Sequence, residues 1–210
     1  MFKRPLRFLP TGMAAGSLLA AMALSLPAPV SASTPDEPAT SARAATVTAL
    51  GFNSTGWTYR QVPPATDEPA FYERGFDDSG WPTGQEGFGT STGCPFNTPA
   101  NVHTAWAPNT DMLVRHWVHI PREAQQVRVE GTVDNDARIY FNGRLAQTAL
   151  SGGCKSGAVD ADIPDSYLDC CNVLAIRAHD YGGSTYLNVR VTYVKPTTRA
   201  TTETSGDASS

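Results

Sequence analysis

The chain has no segment with the apolar spacing of a long amphipathic helix, no Gly-rich loop leading from a strand into a helix, and no internal repeat. The first absence turns the reading away from helical bundles and doubly wound sheets. The second leaves phosphate cofactors without a site, and the third excludes solenoids and propellers. Charge is sparse at 17%, and 16 Lys and Arg against 20 Asp and Glu leave no basic excess. Such a surface repels nucleic acid and anionic lipid, so neither is an expected partner. The longest apolar run, residues 13–26, falls short of the roughly 20 residues that cross a bilayer, so no membrane insertion is expected. No Ser or Cys lies in a recognisable nucleophile context beside His179-Asp180, which removes the usual triad chemistry.

What is present begins with Lys3, Arg4 and Arg7, then the short apolar run, then Val30-Ser31-Ala32. Basic start, apolar core and small residues at a cleavage site predict a signal peptide over 1–32, hence a secreted, extracellular protein. Cleavage after Ala32 takes the basic residues from 16 to 13 against 20 acidic ones, a formal charge near −7. Residues 33–46 and 196–210 are rich in Ala, Thr, Ser, Pro or Gly without apolar period and are expected to be disordered. Residues 47–195 are long enough for one core.

Within that core the dominant pattern has a period of two. Val127, Val129, Gly131 and Val133 share a face, and Ala137, Ile139 and Phe141 repeat the pattern after an acidic, Asn-containing turn. The second run ends in Asn142-Gly143, a hairpin signal. Leu174, Ile176 and Ala178 form another set, and Leu187, Val189, Val191 and Tyr193 a longer one. Met112 to Ile120 reads as a strand stopped by Pro121. Leu50 to Phe52 and Trp57 to Val62 read as short strands, and the only helix candidates are residues 69–75 and 164–168. The expectation is an all-β antiparallel β-sandwich.

Cys94, Cys154, Cys170 and Cys171 form an even set that permits two disulfides in an exported chain. A ring between adjacent cysteines strains the peptide, so Cys170 and Cys171 are each expected to bond a different partner, tying the Cys94 and Cys154 loops to their corner. A four-thiolate zinc site would need two pairs at short spacing, which the chain does not offer. His116 and His119 are three apart on a strand, face opposite sides and cannot share a metal. Asp134 and Asp136, with Asn135 between them, or Asp160 and Asp162, suit a hard cation, although neither group follows the EF-hand order. A structural calcium there is thus the one cofactor the pattern leaves open; otherwise none is expected. Carboxylates beside Gly, Asn and Ser read as turn formers rather than a glycosidase pair.

Aromatic residues in or beside loops give the functional hint, because flat rings stack on sugar faces while Asp, Asn and His bind hydroxyls. Tyr181 and Tyr186 flank Gly182-Gly183-Ser184-Thr185, and with His179, Asp180, Trp106 and Asn135 they make up the candidate ligand site.

Phe76-Asp77-Asp78-Ser79-Gly80-Trp81, Gly87-Phe88-Gly89, Leu113 to Pro121 and the Val133-to-Gly143 run together resemble the galactose-binding-like jelly-roll domains, which occur beside catalytic domains in bacterial glycoside hydrolases and in secreted proteins. The resemblance implies a jelly-roll sandwich in which Asp77, Asp78, Ser79 and Trp81 pack a turn against a sheet. It also implies that Asp134, Asn135, Asn142 and Gly143 join two strands. It further implies a noncatalytic carbohydrate-binding module. The alternatives are a structural or protein-interaction domain of the cell envelope or extracellular milieu, whose partner is a protein, and a small glycoside hydrolase.

Overall fold

A computed structural model describes residues 44–195. The expected signal peptide, nearly all of the 33–46 segment and the 196–210 tail lie outside the described residues. Twelve strands form two six-stranded sheets. One sheet runs β10 (Lys155–Ile163), β7 (Gln125–Asp134), β12 (Tyr186–Lys195), β4 (Phe88–Gly89) and β5 (Thr104–Ala105), with β1 (Ala45–Leu50) also on β12. The other runs β3 (Thr83–Gln85), β2 (Thr55–Val62), β6 (Asp111–Val118), β11 (Asn172–His179), β8 (Asp136–Phe141) and β9 (Arg144–Leu150). Every pairing is antiparallel except β4 with β5. The chain is an antiparallel β-sandwich, and no helix among the described residues is long and apolar enough to cross a membrane.

The period-two sets meet between the sheets. Val127, Val129 and Val133 of β7 and Leu187, Val189 and Val191 of β12 face Ala137, Ile139 and Phe141 of β8 and Leu174, Ile176 and Ala178 of β11 in one buried cluster. Gly131 holds its place in this row because a Cβ there would lie 2.3 Å from the Asn188 carbonyl oxygen and 2.7 Å from Val189 Cα. At Asn142 and Gly143 φ is 50° and 83°, the left-handed pair that a tight β8–β9 hairpin demands.

A second cluster lies on the outer face of the β2–β6–β11–β8 sheet. Val62, Leu113, Val173 and Ala175 are covered there by Phe71, with Tyr72, Phe76, Trp81 and Tyr140 around them. The turn at Asp77–Trp81 packs against this sheet as the resemblance implied: Asp78 accepts from Thr58 Oγ1 (2.6 Å) and from the buried Arg115 Nε (2.9 Å).

Several expectations are corrected. The first strand is Ala45–Leu50, so pairing with β12 starts before residue 47, and the strand expected over 50–52 ends at Leu50 with a turn at Phe52 and Asn53. Residues 69–75 are turns, and near 164–168 only Asp165–Tyr167 form a single 3₁₀ turn. Cys94 bonds Cys154, leaving Cys170 and Cys171 free and exposed. The reason is distance along β11: Cys171 precedes its first residue, whereas Cys94 and Cys154 lie with Asp134 near its far end. Eight residues separate these ends by about 26 Å, well beyond the roughly 7 Å Cα limit of a disulfide.

Candidate functional site

At the end of the second sheet where β11 finishes, strand register lines up two rows of side chains on the outer face. His179 stands opposite Asp111 on one side and Asp136 on the other, and Asp136 stands opposite Leu150. Two residues along, Arg177 stands opposite Arg138, which stands opposite Thr148. Residues two apart on a strand share a face, so both rows floor a cleft of about 580 Å³ whose far wall is Ala65, Thr66 and Asp67. Tyr181 closes one side with 61% of its surface exposed.

The polar groups in the cleft divide into committed and uncommitted ones. Asp111 is buried and accepts from His179 Nδ1 and pairs with Arg177 Nη2, each at 2.5 Å. Arg177 also donates to the Thr66 carbonyl at 2.9 Å, tying the wall to the floor. Asp136 accepts from the Ser151 and Gly152 amides at 2.9 and 3.1 Å and from the Tyr181 hydroxyl at 2.5 Å. That carboxylate pushes the Tyr181 phenol above its ordinary pKa, so the ring stays a neutral donor fixed edge-on to His179, with centroids 4.6 Å apart. Arg138 is exposed, and among the described residues it forms no ion pair.

Of the residues expected to bind a ligand, His179 and Tyr181 line the cleft. Asn135 does not: it is buried, with its Oδ1 accepting from the Tyr181 amide (2.9 Å) and its own amide bonded to the His179 carbonyl (3.1 Å). Its role is to join the β8 and β11 ends. Asp180 is buried as well, and its Oδ2 holds the Asn109 and Gly182 amides at 2.6 and 2.8 Å. Tyr186 is 4% exposed, its ring against Phe96 and its hydroxyl accepting from Asn188. Trp106 is 1% exposed and donates its indole N–H to Thr110. Both rings are buried, and neither lines the cleft.

Asp134 and Asp136, the pair expected for calcium, do not converge. Asp136 turns to the cleft, whereas Asp134 accepts from Ser184 Oγ (2.8 Å) and Asn135 Nδ2 (2.9 Å) and lies against the Cys94 sulfur. Burial pushes Asp134 above its ordinary pKa, opposed by the Ser184 hydrogen bond and assisted by the charge of Asp180. The residues therefore do not fit a shared calcium, because protein donors occupy their oxygens in two different directions. The two nearby sulfurs are bonded to each other, so they add no thiolate to the Asp134 carboxylate.

Sequence reasoning missed Arg138, Arg177, Asp111 and Leu150. The alternation that buries Ala137 and Ile139 also places Arg138 outward, but which strands adjoin β8 follows only from the pairing.

No family model and no curated protein matches the sequence. Among solved structures, a calcium-binding mutant of Bacteroides uniformis β-glucuronidase 2 is similar over 72% of this chain and 18% of its own, at 17% identity and a TM-score of 0.50. A glycoside hydrolase family 2 β-glucuronidase is similar over the same shares, at 14% identity and a TM-score of 0.50. The chain thus spans less than a fifth of the length of these enzymes, and what it shares with that portion of them is the β-sandwich fold.

Proposed function

We propose that this chain is an exported, noncatalytic binding module of the galactose-binding-like jelly-roll kind, and that its ligand is a carbohydrate held in the cleft beside Tyr181. The observation that carries this reading is the placement of an exposed aromatic ring next to a shallow polar floor. A sugar offers an apolar face to the ring and hydroxyls to His179, Thr148 and Arg138. The likeness in fold to part of two β-glucuronidases is in keeping with a sugar-linked setting. Asp111 and Asp136 on the floor spend their oxygens on protein donors, and Asp67 on the opposite wall is a single free carboxyl among the described residues, which favours binding over acid/base chemistry that needs a pair across the glycosidic bond.

A glycan array followed by titration calorimetry tests the reading. Saturable binding should weaken about tenfold or more, a loss of about 1.4 kcal/mol, in Tyr181→Ala, while Tyr181→Phe, which loses only the hydroxyl's bond to Asp136, should keep most of it. Silence across a broad array would sink it. A second reading, a protein-interaction domain, is favoured by Leu150, 75% exposed beside Tyr181, and predicts that silence together with a protein ligand lost in Leu150→Asp.

A further inference from the structure

The floor of the cleft holds a charge arrangement that the fold itself does not need. Arg138 on β8 and Arg177 on β11 are direct cross-strand partners on the same face. Side chains so placed start about 5 Å apart at Cβ, and like charges directly opposite destabilise a sheet. Arg177 is neutralised locally, since Asp111 and the Thr66 carbonyl take its guanidinium. Asp111 is shared in turn with His179, so both of its oxygens are engaged and neither pairs with Arg138. The next carboxylate in the floor, Asp136, is engaged by the Tyr181 hydroxyl and the Ser151 and Gly152 amides. Asp67 on the opposite wall is exposed and forms no ion pair with Arg138 among the described residues. Arg138 is left with its planar fork of donors directed at solvent in a cleft that an aromatic ring borders.

A guanidinium fork matches the two coplanar oxygens of a carboxylate and also engages a sulfate ester. Resting on the carbohydrate reading above, we infer that the cleft selects anionic saccharides, with Arg138 gripping the acidic group while Tyr181 stacks on the ring that carries it. Arg177 stays with Asp111 and the Thr66 carbonyl, so Arg138 alone supplies the free guanidinium that grips the anion. A neutral sugar would leave that guanidinium without an anionic partner.

The experiment compares oligogalacturonides, the same oligomers methyl-esterified, and sulfated and unsulfated dextran oligomers, each titrated against the full chain by calorimetry. Esterification removes the charge and keeps the sugar, so it isolates the interaction. Acid oligomers or sulfated oligomers are expected to bind about tenfold tighter than their neutral counterparts, and whichever set does so identifies the anion. Raising salt is expected to narrow the gap, as for an exposed charge pair. Arg138→Ala is expected to abolish the preference, and Arg138→Lys to restore part of it, because a point charge replaces the fork. Arg138 is exposed, so both variants should melt with the parent, and a melting control checks this. Equal affinity for charged and neutral oligomers overturns the inference and leaves the carbohydrate reading standing, as does a preference that survives Arg138→Ala. Absence of binding to any saccharide, charged or neutral, overturns both.

Discussion

Glu86 has no exposed surface, yet its oxygens accept from the Val189 amide at 2.6 Å and from Ser54 Oγ at 3.3 Å. Burial dominates over these hydrogen bonds and lifts its pKa well above the ordinary 4.5. The folded chain therefore holds this proton to higher pH than the unfolded chain. Its contribution to stability falls as pH rises from the unfolded pKa through the raised folded one, and is level beyond. Glu86→Gln keeps an acceptor for Val189 and removes the titration. Urea midpoints from about pH 4 to about pH 8 should show the variant gaining on the parent as pH rises, and parallel curves would refute the assignment. A carboxylate in Gln-Glu-Gly gives no local sign of this burial. At Tyr181 the sequence was legible because Gly182 and Gly183 follow it. At Tyr186 it was not, since the contact that buries the ring comes from Phe96, ninety residues away in the chain.

Strands are most legible in the sequence where one face is apolar and the other polar, as in β7, β8 and β12. On β11 the alternation Leu174, Ile176, Ala178 is legible, whereas Val173 and Ala175 on the opposite face are apolar as well and blur the period. That unbroken apolar run is the mark of a strand covered on both sides, and the cover is the 63–82 segment. Cysteine pairing failed at the same level: the spacing of four cysteines permits three connectivities, and only the strand directions separate the Cys94–Cys154 end from the Cys170–Cys171 end. The observed bond spans 60 residues, so the chain-entropy account gives it about 4 kcal/mol. Cys154→Ser should lower the unfolding free energy by roughly that amount. In the folded, unreduced protein an alkylating reagent should label Cys170 and Cys171 alone. Labelling of Cys94 or Cys154 without reductant, or none at all, would contradict the pairing.

Across the whole molecule, two arginines join the sandwich to the segment that walls the cleft, Arg177 through Thr66 and Arg115 further along. Arg115 is 2% exposed and sits under the 63–82 segment, donating to Asp78 Oδ2 at 2.9 Å, to the Glu73 carbonyl at 2.9 Å and to the Phe71 carbonyl, with its guanidinium 5.3 Å from the Phe76 ring centre. That segment is a third layer over the sheet, and its first residues are the far wall of the cleft. Arg115→Met would leave Asp78 with Thr58 as its remaining donor and take the side-chain donor from two carbonyls, a loss of about 3–5 kcal/mol for breaking a buried pair. The inner core does not touch Arg115, so the strand spectrum should persist while limited proteolysis cuts between residues 63 and 82. If the wall at Ala65–Asp67 matters to the ligand, affinity should fall with it even though Tyr181 and Arg138 are untouched. Retained affinity after the segment is cut would mean that the floor alone binds, and that Arg177's bond to Thr66 serves stability only.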